Sequence, residues 1–154
     1  MKKFLIIGNG NAVTYKEIFP LIKENNMWFG KNTKGGTRKG NSLVFKKKKK
    51  KEKHALSWWY TNMDCQRHNK HLDLYKTYNE TDYPKYDNYD AINIDRVADI
   101  PRDYFGEMGV PISLLNKLNR NQFEITGIMT SCDKGDPYVN GKHICARLLI
   151  KRKK

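Results

Sequence analysis

Cys65-x-x-His68-x-x-His71 would, on a helix, bring a thiol and two imidazoles to one face. These are zinc-ligating groups, but a structural zinc site takes four. Asp64 is the one neighbour that suggests itself, so no metal site is expected. Gly8-x-Gly10-x-x-Val13 follows an apolar run, as a dinucleotide-binding turn does. The third glycine is missing, and no acidic residue closes a second strand about twenty residues on. A plain strand-to-helix turn is the simpler reading. Its position still counts, because open α/β sheets bind ligands beyond the carboxyl ends of their strands. Asn9 and Asn11 lie there, and each carboxamide can both donate and accept hydrogen bonds. No Walker A, G-x-S-x-G or H-E-x-x-H pattern occurs.

The strongest chemical signal is charge. The chain has 154 residues and a formal net charge of +14. Segment 31–54 carries eleven basic groups against Glu52, a net +10. The last eight residues add five more basic groups, while 55–146 is net −3. Six consecutive lysines, Lys46, Lys47, Lys48, Lys49, Lys50 and Lys51, cannot all be buried and read as a contact for a polyanion. Arg38, Lys39 and Lys53 extend the patch. A solvated charge run with no specific task is the plainer alternative.

Elements must hold these groups. Phe4–Ile7 is a short all-apolar run, the pattern of a strand covered on both faces. Thr14-x-x-Glu17 is a capping box that predicts a helix from Tyr15. Pro20 then either kinks that helix or opens a second one, and Asn25-Asn26 ends it. Met27–Gly30 reads as a short strand. Leu43–Phe45 and Ala55–Trp59 flank the lysines with strand-forming residues, and Gly35-Gly36 and Gly40-Asn41 supply turns. A β-hairpin arm with a basic tip follows. Residues 65–76 could be helical, 77–90 form an ordered loop, and Ala91–Ile94 and Phe123–Ile128 are strands. Pro111 opens a short helix through Leu118, and Asn140-Gly141 turns a hairpin before the closing strand Ile144–Ile150. The Tyr- and Asp-rich stretch 82–90 either stacks on bases or packs as loop, and packing is favoured.

No apolar run reaches the roughly 20 residues that span a bilayer. Three cysteines without paired spacing fit a reducing cytoplasm. The length fits one domain with an inserted arm.

Four stretches then stand out together. They are Lys3-Phe4-Leu5-Ile6-Ile7-Gly8-Asn9-x-Asn11-Ala12-x-Thr14-Tyr15-Lys16-Glu17-Ile18-Phe19; Trp59-Tyr60-Thr61-Asn62-Met63-Asp64; Tyr83-Pro84-Lys85-Tyr86-Asp87-Asn88-Tyr89-Asp90-Ala91-Ile92-Asn93; and Ile100-Pro101-x-Asp103-Tyr104-x-Gly106-x-Met108-Gly109-Val110-Pro111-Ile112. Asn140-Gly141-Lys142 and Ala146-Arg147-Leu148-Leu149-Ile150 fit as well. With these the chain resembles the C-terminal half of the EcoRI-type adenine-specific DNA methyltransferases.

The resemblance implies an α/β fold, the C-terminal part of a Rossmann-like mixed sheet with an inserted basic β-hairpin arm. Core strands would occupy 1–30, the arm 31–57, the remaining core and DNA-recognition loops 58–150, and a basic tail 151–154. It implies S-adenosylmethionine as methyl donor and an adenine flipped from duplex DNA as acceptor. The family's catalytic loop is Asn/Asp-Pro-Pro-aromatic, but the five prolines here are never adjacent. The glycine-rich cofactor loop has no counterpart either. The chain therefore reads as a methyltransferase portion that begins after its active-site motif, inactive alone and awaiting a separate N-terminal part. Asn9, Asn11, Trp59 and Asn62 become candidates for the substrate face. The lysine arm becomes a phosphate contact. A non-catalytic nucleic-acid-binding protein is the rival reading.

Overall fold

The computed structural model describes residues 2–30, 46–47, 50–51 and 57–154. The chain divides into two compact units, Met1–Cys65 and Gln66–Lys154.

The first unit is built on strands β1 (Leu5–Asn9), β2 (Trp28–Phe29) and β5 (Ser57–Thr61), in the order β1-β5-β2. Both β1 and β2 run antiparallel to β5, so the last strand in sequence fits between the first two. A 3-10 turn, Gly10–Thr14, leaves β1, and helix α1 (Phe19–Lys23) leads towards β2. Val13, Phe19, Ile22, Met27, Phe29 and Tyr60 are buried and form its core. Lys46–Lys47 (β3) pairs antiparallel with Lys50–Lys51 (β4). The expected flanking strands of the arm, its glycine turns, and Arg38, Lys39, Lys48, Lys49 and Lys53 lie outside the described residues.

Two expectations for this unit fail. Phe4–Ile7 is not covered on both faces: Leu5, Ile6 and Ile7 are 52%, 54% and 52% exposed, and among the described residues β1 lies at the edge of its sheet. An all-apolar run reads alike at the centre and at the edge of a sheet. The helix also does not start at Tyr15. Thr14 spends its hydroxyl on the Asn11 carbonyl, 2.9 Å away, and closes the preceding turn. Helix α1 begins at Phe19 with Pro20 in its first turn, where a missing N–H costs nothing. Asn25 ends it in the left-handed region, at φ 61°.

The second unit begins with one helical turn, α2 (Gln66–Asn69), so the rest of the helix suggested for 65–76 does not form. Its sheet contains β6 (Ile92–Asn93), β7 (Met108–Pro111), β8 (Phe123–Met129) and β11 (Arg147–Arg152), ordered β6-β7-β11-β8. It is mixed: β6 runs parallel to β7, and β11 is antiparallel to both neighbours. Pro111 leads into a 3-10 turn, Ile112–Asn116, where a short helix through Leu118 was expected. A small hairpin pairs β9 (Tyr138–Val139) with β10 (Lys142–His143). Asn140 and Gly141 turn it with φ of 51° and 74°, the conformation two-residue hairpin loops require. Among the described residues, no helix is long and apolar enough to cross a membrane.

Candidate nucleic-acid interface

At the carboxyl end of β1, Asn9 Oδ1 accepts the Asn11 N–H at 2.9 Å and caps the 3-10 turn. Asn9 and Asn11 are thus brought together on an exposed corner. The Tyr60 hydroxyl donates to the Asn9 carbonyl at 2.7 Å and fixes the corner to β5. Burial pushes the Tyr60 phenol up to about 12. The two glycines of the turn serve packing. A Cβ on Gly8 would press on the Tyr60 ring at 3.1 Å, and one on Gly10 would overlap the Trp58 indole.

Trp59 and Asn62 do not share that corner. Trp59 stands opposite Ile7 in the ladder and is 36% exposed. Asn62 sits past the other end of the β1–β5 pair. Its Oδ1 accepts from the Phe4 N–H and its Nδ2 donates to the Lys2 carbonyl, both at 2.9 Å. It clips the chain leading into β1.

The second unit carries a constellation that residue patterns alone did not mark. Tyr86, buried, donates its hydroxyl to Asn93 Oδ1 at 3.0 Å. Asn93 Nδ2 donates to Asp95 at 3.0 Å. The Arg147 guanidinium donates to Asn93 Oδ1 at 3.4 Å and lies 3.5 Å from Asp95. Gly109 passes so close that a Cβ there would overlap the Tyr86 hydroxyl. Burial raises the Tyr86 phenol well above its usual range, with the Arg147 charge opposing the shift. Beside this node, Asp87 accepts from the N–H groups of Asn140 and Gly141, at 3.0 and 2.6 Å. Asn88 Nδ2 donates to the Asp136 carbonyl at 2.9 Å. The loop 86–88 therefore holds the β9–β10 hairpin, which presents a Tyr138–His143 ring pair and exposed Lys142. Tyr83 and Tyr86 pack inward, as favoured for this stretch.

Cys65, His68 and His71 form no metal cluster, and none is found among the described residues. His68 Nδ1 lies 3.1 Å from the Leu118 carbonyl.

Tyr86, Asp87, Asn93, Gly109, Asn140 and Arg147 come from four separated motif stretches, and one built site uses them all. The sequence profile of the family described as adenine-specific methyltransferase EcoRI matches residues 1–147, across nearly the whole chain. The chain belongs to the EcoRI adenine-specific methyltransferase family. It is similar to the type II methyltransferase M.EcoRI of Escherichia coli, 41% identical over 174 aligned positions covering 99% of this chain and 51% of the relative. It is 33% identical to M.MgeORF184P of Mycoplasma genitalium, covering 98% of this chain and 57% of the relative. It is 37% identical to M.MpnI of Mycoplasma pneumoniae, covering 80% and 43% respectively. The chain thus spans about half the length of the curated relatives it matches. No solved structure matches it.

The family uses S-adenosylmethionine. Gly8 in β1 and Gly10 in the turn after it face the chain's own Tyr60 and Trp58 rings, so this glycine pair offers that cofactor no cradle.

Proposed function

We propose that this chain is the DNA-engaging, C-terminal part of a cytoplasmic type II methyltransferase acting on adenine N6 in duplex DNA. The observation that carries this is the family match over residues 1–147, whose motif stretches build the Tyr86–Asn93–Arg147 node and its clamped hairpin. The node is structural chemistry. It fixes β6 against β11 and sets the hairpin in place, and recognition elements need such rigid support. The lysines of the 31–57 arm contact phosphates without reading sequence. Asn9 and Asn11 border the reacting base. Because Asn9 Oδ1 is committed to the turn, its side chain would meet DNA as a donor. Trp59 and Asn62 remain candidates for the same face, Trp59 by stacking.

Methyl transfer needs a cofactor loop and a catalytic loop that these residues do not supply; in this reading they come from the portion of the family's enzyme that the chain does not match. The test uses labelled S-adenosylmethionine and an adenine-containing duplex. The chain alone is expected to incorporate no label, and the chain with the unmatched half of the Escherichia coli relative to incorporate it. Incorporation by the chain alone sinks the assignment of roles, and none in the mixture sinks the enzyme reading. DNA binding by the chain is expected to weaken about a thousandfold between 50 and 200 mM salt, for about six phosphate contacts.

A further inference from the structure

The β9–β10 hairpin has two unlike faces. Tyr138 stands opposite His143 in its ladder, and Val139 opposite Lys142. Successive strand residues point to opposite faces. Val139 packs on the buried cluster of Tyr86, Ala91, Met129 and Leu149, so that face turns inward. The other face carries Tyr138 and His143 outward, with ring centroids 5.3 Å apart. Tyr138 is 40% exposed, and Asn140, Lys142 and His143 are exposed as well. A lone two-stranded hairpin is barely stable in water. This one is braced by loop 86–88. The Asp87 N–H donates to the Tyr138 carbonyl at 2.9 Å, both Asp87 oxygens accept from the turn, and Asn88 ties down Asp136. The outward side chains are therefore aimed before any ligand arrives.

We propose that the outward face of this hairpin, Tyr138 and His143 with Asn140 at the turn, enters a groove of duplex DNA and contacts base edges. This rests on the reading that the chain engages DNA. Chemistry and size select the ligand. Val139 and Ile144 pack against the core, which leaves polar tips outward. A phenol, an imidazole and a carboxamide can each donate and accept hydrogen bonds. Base edges in the major groove display donors and acceptors in a different order for each pair, and that groove, about 12 Å wide, admits a two-stranded ribbon. The hairpin is a poor phosphate binder by comparison. From Asp136 to His143 one exposed lysine, Lys142, stands against one exposed carboxylate, Asp136. The run Lys46–Lys51 is the reverse, all charge and no base-reading chemistry. The two regions thus divide the work: the lysines supply attraction that ignores sequence, and the hairpin supplies discrimination.

The test selects duplexes bound by the full chain from a pool with a randomised core, at physiological salt. Affinity is then measured for the selected duplexes and for the unselected pool. The full chain is expected to prefer its selected sequences roughly tenfold or more. Tyr138→Phe with His143→Ala should remove most of that preference, yet leave affinity for the unselected pool and its salt dependence within about twofold. Lys47→Ala with Lys50→Ala should do the opposite, weakening all duplexes alike and flattening the salt dependence. Hydrogen exchange at the Asn140 and Gly141 amides, both bonded to Asp87, checks that the hairpin stays docked; His143→Ala alone serves if the pair loosens it. A docked variant that keeps the preference overturns the proposal and leaves DNA engagement standing. So does equal weakening on every duplex, which would make the hairpin a phosphate contact, and so does a full chain that binds without preference. Failure of the full chain to bind any duplex sinks the DNA-engaging reading and this proposal with it.

Discussion

Leu148, Leu149 and Ile150 are fully buried in the middle of one sheet, whereas Leu5, Ile6 and Ile7 stand about half exposed on the edge of the other. The residue types are nearly identical. What differs is what covers their faces. Strand β11 has β7 on one side and β8 on the other, and Leu149 joins Tyr86, Ala91 and Met129 in one cluster. Among the described residues, strand β1 has β5 on one side alone. Edge position alone does not expose a strand, for β8 lies at the edge of the second sheet and is mostly buried. Among its described residues, the unit Met1–Cys65 leaves Leu5, Ile6 and Ile7 open to solvent.

Paired truncations break or sharpen that contrast most strongly. Leu149→Ala should cost about 2–5 kcal/mol, the loss of a buried leucine plus the cavity it leaves. Ile7→Ala in the free chain should cost about 0.5 kcal/mol or less, because half of that side chain already faces water. Urea denaturation of each variant gives the numbers. If Ile7→Ala proves as costly as Leu149→Ala, β1 is covered in solution and the two units do not differ.

A smaller effect separates the units by the packing of their glycines. Gly109→Ala drives a Cβ into the hydroxyl of buried Tyr86, whose bonds to Asn93 hold the node. We expect a loss of about 1–3 kcal/mol, read as a lower melting temperature. Gly10→Ala meets the Trp58 indole, but Trp58 is only half buried and can swing outward. That variant should lose less. Equal losses would mean that the aromatic layer of the first unit is as tightly fixed as the node of the second.

Much of the framework was legible in the sequence, for local reasons. Met27–Gly30, Ala55–Trp59, Ala91–Ile94 and Phe123–Ile128 all contain observed strand, and Asn140-Gly141 turns the hairpin because only a few residue types accept positive φ there. The grouping of the strands was not legible: the front strands form an antiparallel sheet of their own, and the mixed sheet lies in the second unit. The misreadings came from interactions that no short window contains. Thr14 looked like a helix cap because its competing partner, the Asn11 carbonyl, exists only once the turn has formed. The apolar run at β1 gave no sign of its place in the sheet. The node was beyond any pattern: Arg147 reaches Asn93 across 54 residues, and Asp87 caps a turn 53 and 54 residues away. The likeness to a family drew attention to those stretches, and only the fold shows what they hold.

The smallest expected effect concerns pH, and it again falls differently on the two units. Tyr60 anchors β1 through its bond to the Asn9 carbonyl, and burial holds its phenol at about 12. A phenol that keeps its proton more tightly when folded stabilises the fold fully below its ordinary value near 10. That contribution is lost as pH rises through about 12. Tyr86 is displaced further in the same direction, and burial also raises Tyr83, Tyr89 and Tyr104, so its unit should lose more stability than the first as pH rises above about 10. Trp28, Trp58 and Trp59 all lie in the first unit, and tryptophan fluorescence therefore reports that unit alone. An alkaline titration should show the circular dichroism of the second unit's sheet lost before the fluorescence transition. Tyr60→Phe removes the ionising group together with one hydrogen bond. It should cost about 1 kcal/mol at neutral pH and flatten the pH dependence between 10 and 12. A transition unchanged in Tyr60→Phe would place its control in another group and remove this distinction between the units.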